Sequence, residues 1–255
     1  MPRHALIVGL GLIGGAAGMA LRSRGWRVAY VDPNVDEGDA RAAAAADERR
    51  ETVAGDADVV VLAAPVQVAV ALLGSELAAR PGVITSVCSV LTPLRAAAGT
   101  VDFVAGHPLA GSERRGLTAA RTDLFQGKKW FVDRENDVVD ELIHDCGARR
   151  IVVDAAEHDE AMALTSHLPQ LLSTALAAAL DDVDLDTFRG SGLETFLRLA
   201  GSDALVWAPI IEANRDNIRA HFDRVVAIAR SLIDGDPAGA FERANDVHRS
   251  LLAGS

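Results

Sequence analysis

The chain has 255 residues, 49% hydrophobic and 24% charged, the balance of a folded globular protein, so disorder as the main state is excluded. Its 25 basic and 36 acidic residues give a formal charge of −11, which disfavours nucleic acid and anionic membranes as partners. Two cysteines, Cys88 and Cys146, are too few for a disulfide scaffold or a thiolate metal site, so no metal is expected and a reducing cytoplasm is the expected compartment. The uncharged stretch 5–21 contains five glycines and is too short to span a bilayer; it reads as strand, loop and helix rather than a signal sequence.

In chain order, Ala5–Val8 is a short apolar run closed by Gly9-Leu10-Gly11, Gly14–Ser23 reads as a helix ended by Gly25, and Arg27–Val31 is a second apolar run. The Ala42–Ala46 run is helix-forming sequence. Val59–Ala63 is wholly apolar, as expected of a strand buried on both faces of a parallel sheet. Val66–Leu77 reads as helix, Val83–Val87 as strand, and Thr92-Pro93 as an N-cap followed by proline at the first helical position. Phe103–Ala105, Trp130–Val132 and Arg150–Val153 complete the strands.

After Asp154 the pattern becomes helical. His158–Leu180 lacks glycine and holds one internal proline, Pro169, which should kink a helix. Trp207–Ile233 and Ala238–Leu252 carry apolar residues at helical spacing. Charge shifts at the same place: residues 1–154 are net −3 and residues 155–255 net −8. The expected fold class is α/β, with an N-terminal Rossmann-type doubly wound sheet over 1–154 and a C-terminal all-helical domain over 155–255. The long amphipathic stripes of the helical half have more apolar face than one short domain covers, so a homodimer is expected.

Gly9-Leu10-Gly11-Leu12-Ile13-Gly14 follows a strand and opens a helix. In that context the first glycine permits a tight turn, the second lets backbone approach a pyrophosphate, and the third allows close helix–strand packing. The N–H groups at the helix start supply positive potential to the phosphates. Asp32 closes the next strand 21 residues after Gly11, where a carboxylate accepts ribose hydroxyls and repels a 2′-phosphate. The expected cofactor is therefore NAD.

The segment Gly106-His107-Pro108-Leu109-Ala110-Gly111-Ser112-Glu113 directly follows a strand, where ligands bind an open α/β sheet. Proline and glycine fix the backbone around His107, and an imidazole beside a nicotinamide site suits acid–base work in hydride transfer. This block resembles the prephenate/arogenate dehydrogenase family of tyrosine biosynthesis. So do Gly9–Gly15, Ala63-Ala64-Pro65, Ser89, Thr165-Ser166-His167-Leu168-Pro169, and Arg198 within 196–203, in family order over nearly the whole chain.

The resemblance implies NAD-dependent oxidative decarboxylation of a cyclohexadienol small-molecule substrate. It places Gly9, Gly11, Leu12, Ile13, Gly14, Asp32, Ala64 and Pro65 against the cofactor. His107 would accept the hydrogen bond and then the proton of the ring hydroxyl, with Ser89 orienting both. Arg198 would bind a substrate carboxylate, Glu113 would line the pocket, and His167 and Gln170 would face the substrate from the kinked helix. Structural readings stand beside these: Ser89 as a helix cap, Arg198 as an interdomain salt bridge, His167 as a packing residue. The resemblance also implies a dimer formed through the helical half.

The chain departs from the family pattern at Ser86 and Leu91, where an aspartate and a lysine are common, and at Gln170, where many prephenate-specific members have histidine. Fewer cations weaken the case for a substrate with two carboxylates and no amine, and favour arogenate or an amino-substituted analogue. The absence of lysine from 155–255 argues against a β-hydroxyacid dehydrogenase. A non-catalytic NAD sensor would have no need of His107, Ser89 and Arg198 together.

Overall fold

Continuous apolar runs build the middle of the central sheet because those strands are buried on both faces. In the computed structural model, which describes residues 3–78, 82–111, 114–235 and 237–253, six parallel strands run β1 (His4–Val8), β2 (Arg27–Val31), β3 (Glu48–Arg49), β4 (Val59–Leu62), β5 (Val83–Ser86) and β6 (Phe103–Val104). Their spatial order is β3-β2-β1-β4-β5-β6, the doubly wound arrangement, with its switch point between β1 and β4. Alternation along the strands divides the core in two. Ala5, Ile7, Val59 and Val61 pack on one face, and Leu6, Val8, Val60 and Leu62 on the other.

Helices α1 (Leu12–Ser23), α2 (Glu37–Ala42), α3 (Val66–Leu73) and α4 (Thr92–Ala98) connect these strands. The last three strands do not extend the sheet. After β6 the chain turns into a separate three-stranded sheet, in which β7 (Gly106–Pro108) pairs antiparallel with β8 (Lys129–Val132) and β8 pairs parallel with β9 (Arg149–Val152). The expectation of a single sheet is corrected here: Trp130–Val132 and Arg150–Val153 pair with the histidine segment instead of with β6. The Ser86 hydroxyl fixes the changeover, accepting from the Gly106 N–H at 3.0 Å and donating to the Gly106 carbonyl at 3.1 Å.

Helix α5 (Asp137–Asp145), capped by the Asn136 side chain, lies between β8 and β9. The helical half then comprises α6 (Ala155–Met162), α7 (Leu168–Ala178), α8 (Leu185–Phe188), α9 (Ser191–Leu197), α10 (Ala204–Ala213), α11 (Arg215–Asp234) and α12 (Ala238–Ala253). Pro169 acts less as a kink than through a π-helical turn, Ala163–His167, that joins α6 to α7. A proline lacks the donor that an α-helical ladder needs there, and the wider turn accommodates that loss. The apolar pattern over 207–233 is broken at Asn214 into α10 and α11. The Ala42–Ala46 run is not a helix: α2 stops at Ala42, and Ala44 turns with φ 55°.

That turn matters because α1 presses against it. A Cβ on Gly18 would stand 2.1 Å from the Ala45 carbonyl oxygen, a backbone atom that cannot rotate away. Gly18→Ala is expected to lower the unfolding free energy by about 1–3 kcal/mol in urea denaturation. Unchanged stability would show that the contact yields without cost.

Candidate active site

The site begins where β1 and β4 end. Gly9 has φ 95°, and a Cβ there would meet the Ala63 carbonyl oxygen at 2.7 Å. A Cβ on Gly14 would lie 2.0 Å from the Gly9 carbonyl oxygen, so the loop and the first turn of α1 are locked together. Gly11 differs: nothing lies within 4 Å of its Cβ position. The α1 N-terminus, at Leu12 and Ile13, has no side-chain cap and no acidic residue in its first turn. By contrast α2, α5, α6, α8 and α10 are each capped by an Asp or Asn side chain. An open glycine beside uncapped N–H groups is the shape a dinucleotide pyrophosphate fits.

Asp32 follows β2, and its two oxygens accept the N–H groups of Leu10 and Asn34, each at 2.8 Å. The carboxylate thus shapes the glycine loop while each oxygen keeps a lone pair for a ribose hydroxyl. Ala64 and Pro65 lie at the end of β4, where Pro65 precedes α3.

His107 sits on β7 opposite Phe131 of β8. Its Nδ1 is 3.0 Å from Nε2 of His158, and the two rings meet edge to face at 5.1 Å and 84°. His158 Nδ1 in turn lies 2.8 Å from the Asp159 carboxylate. That carboxylate also accepts the N–H groups of Leu91 and Thr92, each at 2.8 Å, and so caps α4 from another element. The helix has no cap of its own, and Ser89 does not supply one. Asn214 donates to the Asp159 backbone carbonyl at 2.7 Å and stands 3.1 Å from His167 Nδ1.

His158 and Asp159 are 2% exposed, His167 1% and Asn214 4%, so this chain of polar groups runs through the interior between the two halves. Its protonation states follow from burial. Burial, and then the neighbouring His158 and His167, push the His107 imidazole down to about 3. Burial pushes His167 down to about 4. Burial alone would raise Asp159, but the hydrogen bonds from His158, Leu91 and Thr92 outweigh it and hold the group below the usual carboxylate range.

Gln170 is 3% exposed and its amide is fully engaged. Its nitrogen donates to Thr174 and to the Leu199 carbonyl, and its oxygen accepts from Ser202. Together with Ser173, which donates to the Phe196 carbonyl, it clamps the turn that carries Arg198. Arg198 itself is exposed and lines a cavity of about 640 Å³ with Arg114, Arg121, Thr118 and Gly111. Arg115 pairs with Asp203, the N-cap of α10, and ties the segment after His107 to the helical half. Glu113 lies outside the described residues.

The structure thus brings His107 and His167 into one buried network and sets Arg198 in an adjoining basic cavity. His158, Asp159 and Asn214 escape sequence reasoning because a polar residue on an amphipathic helix reads as solvent-facing. The adjacent His-Asp pair was the one available signal.

Two family models cover most of the chain: "Prephenate dehydrogenase, nucleotide-binding domain" matches residues 17–152, and "Prephenate dehydrogenase, dimerization domain" matches residues 154–235. The chain belongs to the prephenate dehydrogenase family. The first match starts downstream of Gly9–Gly15, so the glycine loop is independent support for a nucleotide-binding fold. The chain is 34% identical to the "Probable prephenate dehydrogenase" of Streptomyces niveus, over 91% of this chain and 68% of that one. It is 29% identical to a prephenate dehydrogenase of Lactococcus lactis, over 88% and 70%. The prephenate dehydrogenase of A. aeolicus, solved with hydroxyphenyl propionate and NAD+, superposes with a TM-score of 0.83 at 25% identity and covers 99% of both chains.

The site makes folding sensitive to acid. His107 and His167 titrate below their ordinary 6.5 in the native protein, so between about pH 4 and 6.5 the unfolded chain binds more protons. Their stabilisation is complete above 6.5 and is lost as pH falls, by up to about 1.4 kcal/mol per pH unit for each group. Thermal melts from pH 7 to pH 4 should show a falling midpoint, with a shallower fall in His167→Phe. A midpoint independent of pH would contradict the burial of both imidazoles in their neutral forms.

Proposed function

We propose that this chain is an NAD-dependent dehydrogenase that oxidatively decarboxylates prephenate or arogenate, yielding 4-hydroxyphenylpyruvate or tyrosine. The observation that carries this reading is His107: a neutral imidazole on β7, close to the carboxyl edge of the sheet whose switch point forms the dinucleotide cradle. NAD, when bound, supplies the two-electron acceptor. Gly9, Gly11, Leu12, Ile13 and Gly14 would hold its pyrophosphate, Asp32 its ribose, and Ala64 and Pro65 would line its site at the end of β4.

His107 accepts the hydrogen bond of the ring hydroxyl and takes its proton as the carbon is oxidised to a carbonyl; loss of the ring carboxylate as carbon dioxide then returns an electron pair to that oxygen, which regains a proton as the phenol. Ser89 orients that hydroxyl. Arg198 takes a substrate carboxylate from the rim of the basic cavity, and a planar guanidinium suits that partner. His167 joins the buried network from the helical half, where Asn214 and Trp207 hold its ring, and Gln170 serves the substrate by holding the Arg198 turn.

The departures from the family pattern bear on the substrate side chain. Leu91 is fully buried with its N–H given to Asp159, and the Gln170 amide is spent on Leu199, Thr174 and Ser202. Neither position offers a cation to a second carboxylate, which favours the amine-bearing arogenate or an amino-substituted analogue.

The helical half supports a homodimer. Phe188, Leu205, Ile233, Phe241, Leu251 and Leu252 are each more than 60% exposed, and such a concentration of apolar surface calls for a partner. Among the described residues no helix is long and apolar enough to cross a membrane.

NADH absorbance with purified substrates tests the reaction. Turnover with arogenate at a kcat/KM equal to or above that with prephenate is expected, and a clear prephenate preference would overturn the side-chain reading. His107→Asn should lose about 10³-fold in kcat while NAD still binds, whereas retained turnover would remove His107 from the proton path. Light scattering should give twice 26.8 kDa; a monomeric mass would contradict the dimer.

A further inference from the structure

We propose that His158 and Asp159 are positioning residues that hold His107 in the tautomer with its proton on Nδ1 and a bare Nε2. The inference rests on the reading of His107 as the acceptor of the ring hydroxyl, and it follows from counting donors and acceptors. An ionised carboxylate only accepts. The Asp159 carboxylate already takes two backbone N–H groups, so the 2.8 Å contact with His158 requires His158 Nδ1 to donate. With His158 taken as neutral at the pH 8 of the test below, its imidazole has one N–H, so Nε2 is left as an acceptor. The 3.0 Å contact then requires His107 Nδ1 to donate to it. The one remaining nitrogen, His107 Nε2, carries a lone pair and makes no hydrogen bond among the described residues.

A base that receives a hydroxyl proton needs such a lone pair. The opposite tautomer would present an N–H to the substrate oxygen and could not take its proton. The second partner of a histidine decides which nitrogen is free, and here that partner is another histidine whose own state is set by a carboxylate.

The packing leaves these groups little freedom. His158 is held edge to face by both His107 and Phe131, the latter at 5.3 Å and 67°. Phe131 is the β8 residue directly opposite His107, so ring and base are placed by the same strand pair. Asp159 is fixed at both ends, its carboxylate by the start of α4 and its backbone carbonyl by Asn214. Both residues are 2% exposed and act on the substrate only through His107.

The test reads the tautomer directly. The full chain, labelled with ¹⁵N-histidine, is examined by NMR at pH 8, and the His107 signals are assigned by their loss in His107→Asn. The wild-type protein should show a protonated Nδ1 and an unprotonated Nε2 at His107. In His158→Phe the His107 proton should move toward Nε2, with kcat reduced about 10²-fold and the Kd for NAD unchanged. His158→Gln, which sets an amide oxygen before His107 Nδ1, should recover most of both the tautomer and kcat. A wild-type His107 protonated on Nε2 would overturn the proposal, as would a His158→Phe variant with the wild-type tautomer or kcat within about threefold of wild type. Should the variants fail to fold, the wild-type spectrum decides alone. A protein inactive on both substrates would defeat the dehydrogenase reading while leaving the tautomer measurement intact.

Discussion

One buried carboxylate joins the two halves of this molecule. Asp159 belongs to α6, yet its oxygens close the N-terminus of α4 in the sheet domain and its backbone carbonyl is bound by Asn214 between α10 and α11. A charge in the interior is tolerated only when it is hydrogen-bonded, and the Asp159 carboxylate is met by the N–H groups of Leu91 and Thr92 and by the His158 ring. Removing it would leave two backbone N–H groups and an imidazole unpartnered in an enclosed space, a cost of about 3–5 kcal/mol. The site is therefore a consequence of docking: the glycine loop, Asp32 and His107 come with the sheets, while the groups that orient His107 come with the helices.

The sheet was largely legible in the sequence for a physical reason. Strands buried on both faces of a parallel sheet must be apolar throughout, and β1, β2, β4 and β5 are visible as such runs. Most of the elements that escaped have little core to bury. β3 is two charged residues at the sheet edge, and α2 is a short polar helix with one buried alanine. β7 is a glycine, a histidine and a proline whose strand geometry comes from pairing with β8 and from the Ser86 hydroxyl. α5 was missed although Asn136 before Val138, Val139, Leu142 and Ile143 spells out a capped amphipathic helix.

For the site, the division falls between residues fixed by local backbone geometry and residues fixed by contact across the molecule. Gly9, Gly11, Gly14 and Asp32 could be read because a tight turn and a helix start leave their mark within a few positions. His158, Asp159 and Asn214 could not, since their burial depends on which face of each helix meets the sheet domain. Positions that looked like departures from a family pattern become intelligible in the same way. Ser86 staples the backbone of Gly106, Leu91 is fully buried in the core, and Gln170 braces the turn that carries Arg198. Each is engaged with the protein itself, which explains why substitution there need not dismantle the site.

Native-state hydrogen exchange at the amides of Leu91 and Thr92 tests the joining role of Asp159 most directly. The first N–H groups of a helix usually exchange early, because no preceding turn protects them. Here their acceptor is a carboxylate buried between the halves, so their exchange should be as slow as that of the β1 and β4 amides and governed by global unfolding. Fast exchange at both, with the sheet still protected, would show that the two halves separate locally and that Asp159 does not hold them together.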